Sequence, residues 1–238
     1  MGELTLEEQL LSEQAVRFVK ENADILIQKF CAHIPTEDVP PTTIFTAGSP
    51  GAGKTEFARR IIAAMQKDRG AVLAHIDADE IRAMLPNYTN SNSYIFQKAI
   101  SEGVNKIFDH VLKAKKSCVL DGTFSHFSIA HTNIERCVKR GRVVAIAYLR
   151  EDPVRAWNFT QAREKVEGRR ILKDTFIEQF FAAQEVVMKI KKEFGSRIEL
   201  WDVQKDYVQN SYIIQAGVEA IDLPAQSQYS KEKLIELL

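Results

Sequence analysis

The apolar positions Leu10, Leu11, Phe18, Val19, Ile25 and Leu26 recur at helical spacing, and the capping-box text TLEE at Thr5 marks a start for them. One long amphipathic helix is predicted, ending before the proline-rich stretch from Pro35 to Pro41. The period then shortens. The β-branched run TTIFTAG, residues 42–48, predicts a strand, and after a glycine-rich loop Phe57, Ala58, Ile61, Ile62 and Met65 mark one face of a helix. The alternation continues with strands in 71–77, 117–121, 143–149 and 197–202, and helices near 93–115, 126–140, 153–167 and 176–193.

Five short apolar strands separated by helices predict an α/β fold. Parallel neighbours need crossover helices, so the expectation is a doubly wound, mostly parallel five-stranded sheet covered on both faces. After Asp202 the pattern weakens: 213–223 resembles a small hairpin and the last nine residues a short helix. The expected organisation is an N-terminal helix over 1–35 that packs on the core or docks a partner, the α/β domain over 36–203, and a tail over 204–238 on the same domain.

Length agrees with this, since 238 residues suit one large α/β domain. Charge narrows the partners. Lys plus Arg and Asp plus Glu stand at 32 each, so no global positive field draws the chain to nucleic acid, and any polyanion site must be local. Cys31, Cys118 and Cys137 lack metal-ligand spacing and are odd in number, which fits buried thiols in a reducing compartment. No basic, apolar leader and no membrane-length run appears, so the expected location is the cytoplasm, with no membrane partner.

The loop after the first strand reads GSPGAGKT and matches G-x-x-x-x-G-K-[ST]. Gly48 and Gly53 hold the defined positions, and Ser49, Pro50, Gly51 and Ala52 fill the turn between them. Glycines let the backbone wrap a phosphate with its amides, and the following helix adds unpaired N–H groups and the positive end of its dipole. Lys54 then supplies a cation to the β- and γ-phosphates and Thr55 a hydroxyl to Mg²⁺. The cofactors implied are ATP or GTP with Mg²⁺.

The next strand ends in HIDADEIRAML, which brings Asp77 and Asp79 to the carboxyl edge of the sheet, where open α/β folds bind ligands. A carboxylate there suits acceptance of the acceptor's proton, and Asp79 is the candidate base; Asp77 equally fits a helix N-cap. Arg82, one turn on, either contacts substrate or is solvated. The third strand ends in DGT, placing Asp121 beside the loop as a candidate Mg²⁺-steering acid, with Thr123 nearby. Between two predicted helices, QAREKVEGRRILKD gathers Arg163, Arg169 and Arg170 around a glycine, in a segment suited to close over transferring phosphoryl oxygens.

GSPGAGKT, I-D-x-D with Pro86-Asn87-Tyr88 downstream, DGT and the arginine-bearing segment occur in the order in which the zeta toxin family carries them. Over about residues 40 to 203 the chain resembles that family, P-loop kinases that phosphorylate UDP-N-acetylglucosamine and are usually held inactive by an antitoxin protein. The resemblance implies that Asp79 is the base acting on the sugar hydroxyl and that Lys54 and Thr55 contact nucleotide and metal. It places Asp121 near substrate with Thr123 beside it, and Arg163 with Arg169 or Arg170 near the family's paired transition-state arginines. Where some members carry an arginine two residues after the DGT threonine, this chain has Ser125. Two other readings stay open: another P-loop small-molecule or nucleotide kinase, and a nucleotide-switched binding protein.

Overall fold

The computed structural model describes residues 4–37, 39–168, 170–221 and 229–238. Its strands are β1 (Thr42–Ala47), β2 (Ala74–Asp77), β3 (Cys118–Asp121), β4 (Val143–Arg150), β5 (Glu199–Asp206) and β6 (Ser211–Ala216). They form one sheet in the order β2, β3, β1, β4, β5, β6. The first five are parallel to their neighbours, as the crossover argument expects, and β6 adds an antiparallel edge to β5. The segment expected as a self-contained hairpin, 213–223, instead gives its first residues to β6; Asp222 and Leu223 lie outside the described residues.

The helices are α1 (Leu6–Glu21), α2 (Ala23–Cys31), α3 (Lys54–Arg69), α4 (Ala78–Arg82), α5 (Gln97–Lys113), α6 (Phe127–Val138), α7 (Pro153–Glu167), α8 (Lys173–Phe194) and α9 (Lys231–Leu237). Thr5 caps α1 as its sequence indicates: its hydroxyl accepts from the Glu8 amide and the Glu8 carboxylate accepts from the Thr5 amide. The single long helix expected here is broken at Asn22, whose φ of −108° and ψ of 24° leave the helical region. Its side-chain and backbone N–H groups both donate to the Phe18 carbonyl, the competition for backbone groups that makes Asn a helix terminator. Val19, Leu26 and Phe30 are buried on the two pieces, which pack against α5.

Alternation along β4 separates the two faces. Val144, Ile146 and Tyr148 enter the larger core, shared with Ile107 of α5, Ile134 of α6 and Val187 of α8. Ala145, Ala147 and Leu149 face a smaller core with Phe57 and Ala58 of α3. The sheet is thus covered on both sides, and complete burial of a side chain such as Phe45 or Phe57 stabilises the fold by roughly 1.5–3 kcal/mol. Because β1 to β4 run parallel, the segments that follow them, the glycine loop, α4, the DGT turn and α7, gather at one edge. No helix among the described residues is long and apolar enough to cross a membrane.

Candidate active site

The glycine loop lies directly against α7. A Cβ on Gly51, where φ is 76°, would stand 2.1 Å from the Ala156 carbonyl oxygen, so glycine is required by both torsion and space. Gly53 carries no side chain to cap α3, and the amides of the first turn remain directed at the loop. The Lys54 Nζ donates to the Ser49 carbonyl at 2.7 Å, across the loop. Gly48 N–H donates to the Thr123 carbonyl at 3.2 Å, which ties the loop to the DGT turn. This is a concave array of amides, one ammonium and one hydroxyl, suited to a polyphosphate.

Asp121 sits beneath it, its side chain only 5 % exposed. Thr46 Oγ1 donates to its Oδ1 at 2.8 Å, and that hydroxyl oxygen in turn accepts from Gly122 N–H at 3.0 Å. Burial pushes the Asp121 carboxyl up, but the polar groups of His75, Thr55 and Thr46 and the charge of Lys54 outweigh it, and the net direction is below the ordinary carboxylate value. An ionised, nearly enclosed carboxylate that lines the same cleft as the Thr55 hydroxyl, with its buried Oδ2 left without a hydrogen-bond partner, is an oxygen donor set that fits Mg²⁺. Asp77 has a different task. Its Oδ1 accepts from Asp79 N–H at 2.8 Å and caps α4. Burial above all, together with the charges of Asp121 and Asp79, pushes its carboxyl up.

Asp79 is held between two arginines. Arg82, buried on α4, pairs with Oδ1, and Arg163 Nη2 donates to Oδ2 at 2.6 Å. Arg163 also donates from Nε to Glu167 at 2.6 Å. Burial works against its charge, yet Glu167 and Asp79 together hold its pKa above the usual arginine value. The register of α7 delivers this residue: Asp152 accepts from Arg155 N–H as N-cap and Pro153 opens the helix.

A cleft of about 430 Å³ joins these groups, running past Lys54, Thr55, Asp79 and Asp121 and walled by Phe159, Arg163, Lys205 and Tyr207. A second cavity of about 970 Å³ adjoins it, and Ala78, Asp121, Gly122 and Thr123 line both. Thr123 and Ser125 share a hydroxyl hydrogen bond of 2.9 Å at this boundary. Arg82 faces the second cavity. Its outer wall, with Lys106 and Asp109 of α5 and Asn133 and Arg136 of α6, lies outside every sequence motif. The available signal was a polar stripe at helical spacing opposite each apolar face. Arg170 pairs with Glu164 at 3.9 Å, is 73 % exposed and does not line the cleft. Arg169 lies outside the described residues.

A family model described as zeta toxin matches residues 27–212. The fold is similar to that of a chain from the PezAT chromosomal toxin–antitoxin system of Streptococcus pneumoniae, at 15% identity and a TM-score of 0.67, covering 100% of this chain and 96% of that one. It is also similar to a chain of the AvrRxo1-ORF1:AvrRxo1-ORF2 structure with sulphate ions, at 15% identity and a TM-score of 0.60, covering 95% of this chain and 73% of that one. The AvrRxo1-ORF1:-ORF2 structure with ATP gives 15% identity and a TM-score of 0.59, with 94% and 71% covered. No curated protein matches the sequence.

Proposed function

This chain belongs to the zeta toxin family, and from that premise we propose that it transfers the γ-phosphoryl group of ATP or GTP to a sugar hydroxyl of a UDP-activated amino sugar such as UDP-N-acetylglucosamine. One observation carries the reading: the phosphate cleft and the larger cavity share the wall made by Ala78 and Asp121 to Thr123. A donor held in the first thus meets an acceptor held in the second.

In this reading the amides of Gly51 to Thr55 and the Lys54 ammonium bind the phosphates. Thr55 and Asp121 would hold Mg²⁺, which when bound offsets charge on the phosphate oxygens. Asp79 takes the proton of the acceptor hydroxyl as its oxygen bonds to the γ-phosphorus and the bond from that phosphorus to the β-bridging oxygen breaks. Arg163 turns from Oδ2 to the transferring phosphoryl oxygens, which frees that carboxylate oxygen for the hydroxyl. Arg82 keeps Asp79 oriented, and Thr123 contacts the acceptor. Arg169 and Arg170 follow α7 and are assigned to closure of the site around bound donor.

A protein antitoxin is part of the same proposal. The PezAT chain comes from a toxin–antitoxin system, and the AvrRxo1 structure carries ATP. Incubation with Mg·ATP or Mg·GTP and a panel of acceptors, followed by ADP or GDP release and by ³¹P detection of a new sugar phosphate, tests the chemistry. UDP-N-acetylglucosamine is expected to be consumed, and Asp79→Asn to leave it intact. Release that no acceptor accelerates would sink the kinase reading. Expression of the wild type, but not of Asp79→Asn, is expected to arrest bacterial growth.

A further inference from the structure

Arg155, Phe159 and Arg163 stand at i, i+4 and i+8 on α7 and form one stripe about 12 Å long. At one end Arg163 meets Asp79, the place for the γ-phosphoryl group. Towards the other end the stripe meets Tyr207, just beyond β5. The Phe159 and Tyr207 rings are 6.4 Å apart between centroids, their planes inclined by 29°. The Arg155 guanidinium lies 4.7 Å from the Tyr207 centroid, and the Tyr207 hydroxyl donates to Glu151. Both rings line the phosphate cleft, yet they remain 44 % and 43 % exposed.

Two large aromatic rings this exposed beside a phosphate cradle need a reason, since a clasp between hairpin and helix is served equally well by buried rings; the Lys205 ammonium also approaches Tyr207, 5.5 Å from its centroid. The direction of the donor supplies one. With the γ-phosphate at Asp79, the α-phosphate would stand near the first turn of α3, whose unpaired amides suit it and where Glu56 accepts from Lys205 Nζ at 2.6 Å. A nucleoside attached there would extend along the cleft towards Lys205, two residues before Tyr207.

We propose that Tyr207 and Phe159 form the stacking platform for the nucleobase of the phosphate donor. Arg155 and Glu151 position the Tyr207 ring. The proposal rests on the kinase reading only through the orientation of the triphosphate. A base stacked on an aromatic face contributes about tenfold or more in affinity, and every nucleobase has such a face.

Calorimetric titration of wild type, Tyr207→Ala, Tyr207→Phe and Phe159→Ala with Mg·ATP, Mg·GTP and Mg·tripolyphosphate tests it. Expected is a wild type that binds ATP and GTP more tightly than tripolyphosphate. Each alanine variant should lose about tenfold for both nucleotides while tripolyphosphate affinity stays the same, and Tyr207→Phe should keep the preference. Equal losses for nucleotide and tripolyphosphate would mean a structural clasp and overturn the platform, as would unchanged nucleotide affinity in both alanine variants. Wild type that binds ATP and tripolyphosphate equally removes the platform alone; wild type that binds neither removes the phosphate cradle as well.

Discussion

Arg163 Nη2 lies 2.6 Å from Asp79 Oδ2, across 84 residues of sequence. A carboxylate engaged in this way faces its arginine rather than an acceptor hydroxyl, so in the proposed chemistry the pair parts and each residue turns to a different reactant. Asp79→Asn is expected to lower kcat by about 10²–10⁴, the range of a lost general base. Arg163→Ala is expected to lower it by about 10²–10³ through loss of charge stabilisation. Because the two act on one transition state, the double variant should fall well short of the product of the single losses. Steady-state kinetics of the four proteins decides this, and multiplicative losses would mean that the residues work independently.

Gly51 gives a test of the loop that does not depend on chemistry. Alanine there meets both a φ of 76° and the Ala156 carbonyl oxygen, whereas alanine at Gly70, with φ 66°, meets nothing within 4 Å. The left-handed conformation alone costs about 1–2 kcal/mol. Gly70→Ala should show only that loss, and Gly51→Ala clearly more, with a melting temperature lower by about 5 °C or beyond. Urea unfolding of the two variants measures the difference. Equal losses would show that the loop does not lie against α7.

How much of this was legible beforehand follows from where each feature's cause resides. The glycine loop is dictated by backbone torsion and by the ligand it suits, so its eight letters announce it. The apolar and β-branched runs announce the parallel strands for a similar reason, since a strand covered on both faces reads as a near-continuous hydrophobic run, with Thr43 and Thr46 of β1 the buried polar exceptions there. Arg163 and Arg170 could not be separated, because their directions depend on α7 ending at Gly168, whose φ is 72°. Past that point Arg170 turns to Glu164. The pairing of β6 was hidden in a turn that contains no glycine and relies on Asn210 at φ 47°. The break at Asn22 was hidden because apolar spacing continues through it. The wall of the larger cavity is assembled from α5 and α6, far apart in sequence, and such a juxtaposition leaves no local mark.

Cys118 provides a pH dependence whose sign is fixed by burial. Desolvation, partly countered by the charge of Arg142, pushes its thiol from 9.0 up to about 12. The neutral thiol is thus favoured by the folded state. Its contribution to stability is complete below pH 9 and is lost as pH rises from 9 towards 12, because the unfolded chain ionises first. The free energy of unfolding should therefore decline over that window, and Cys118→Ala should decline less steeply whatever its starting stability. Thiol-directed reagents should leave the native protein largely unmodified at pH 8, since Cys31 and Cys137 are buried and pushed up as well. Rapid native-state labelling would contradict the burial described.

Arg136 offers the sharpest test of what the larger cavity holds. Its guanidinium pairs with Asp109 and lies 5.4 Å from the Phe108 centroid, so it is fixed in place on the cavity wall. A sugar nucleotide carries a diphosphate, and a hydrogen bond to a charged group contributes about 1.5–3 kcal/mol, which corresponds to about 10- to 100-fold in affinity. Arg136→Ala is accordingly expected to raise the acceptor KM by that factor while the nucleotide KM stays unchanged, because Arg136 lines only the second of the two cavities. Arg136→Lys should recover part of the loss: it keeps the charge but not the planar fork. An uncharged acceptor, if that is the true substrate, would feel neither change. Matched KM values for wild type and Arg136→Ala would therefore reject a diphosphate-bearing acceptor in this cavity while leaving the donor side intact.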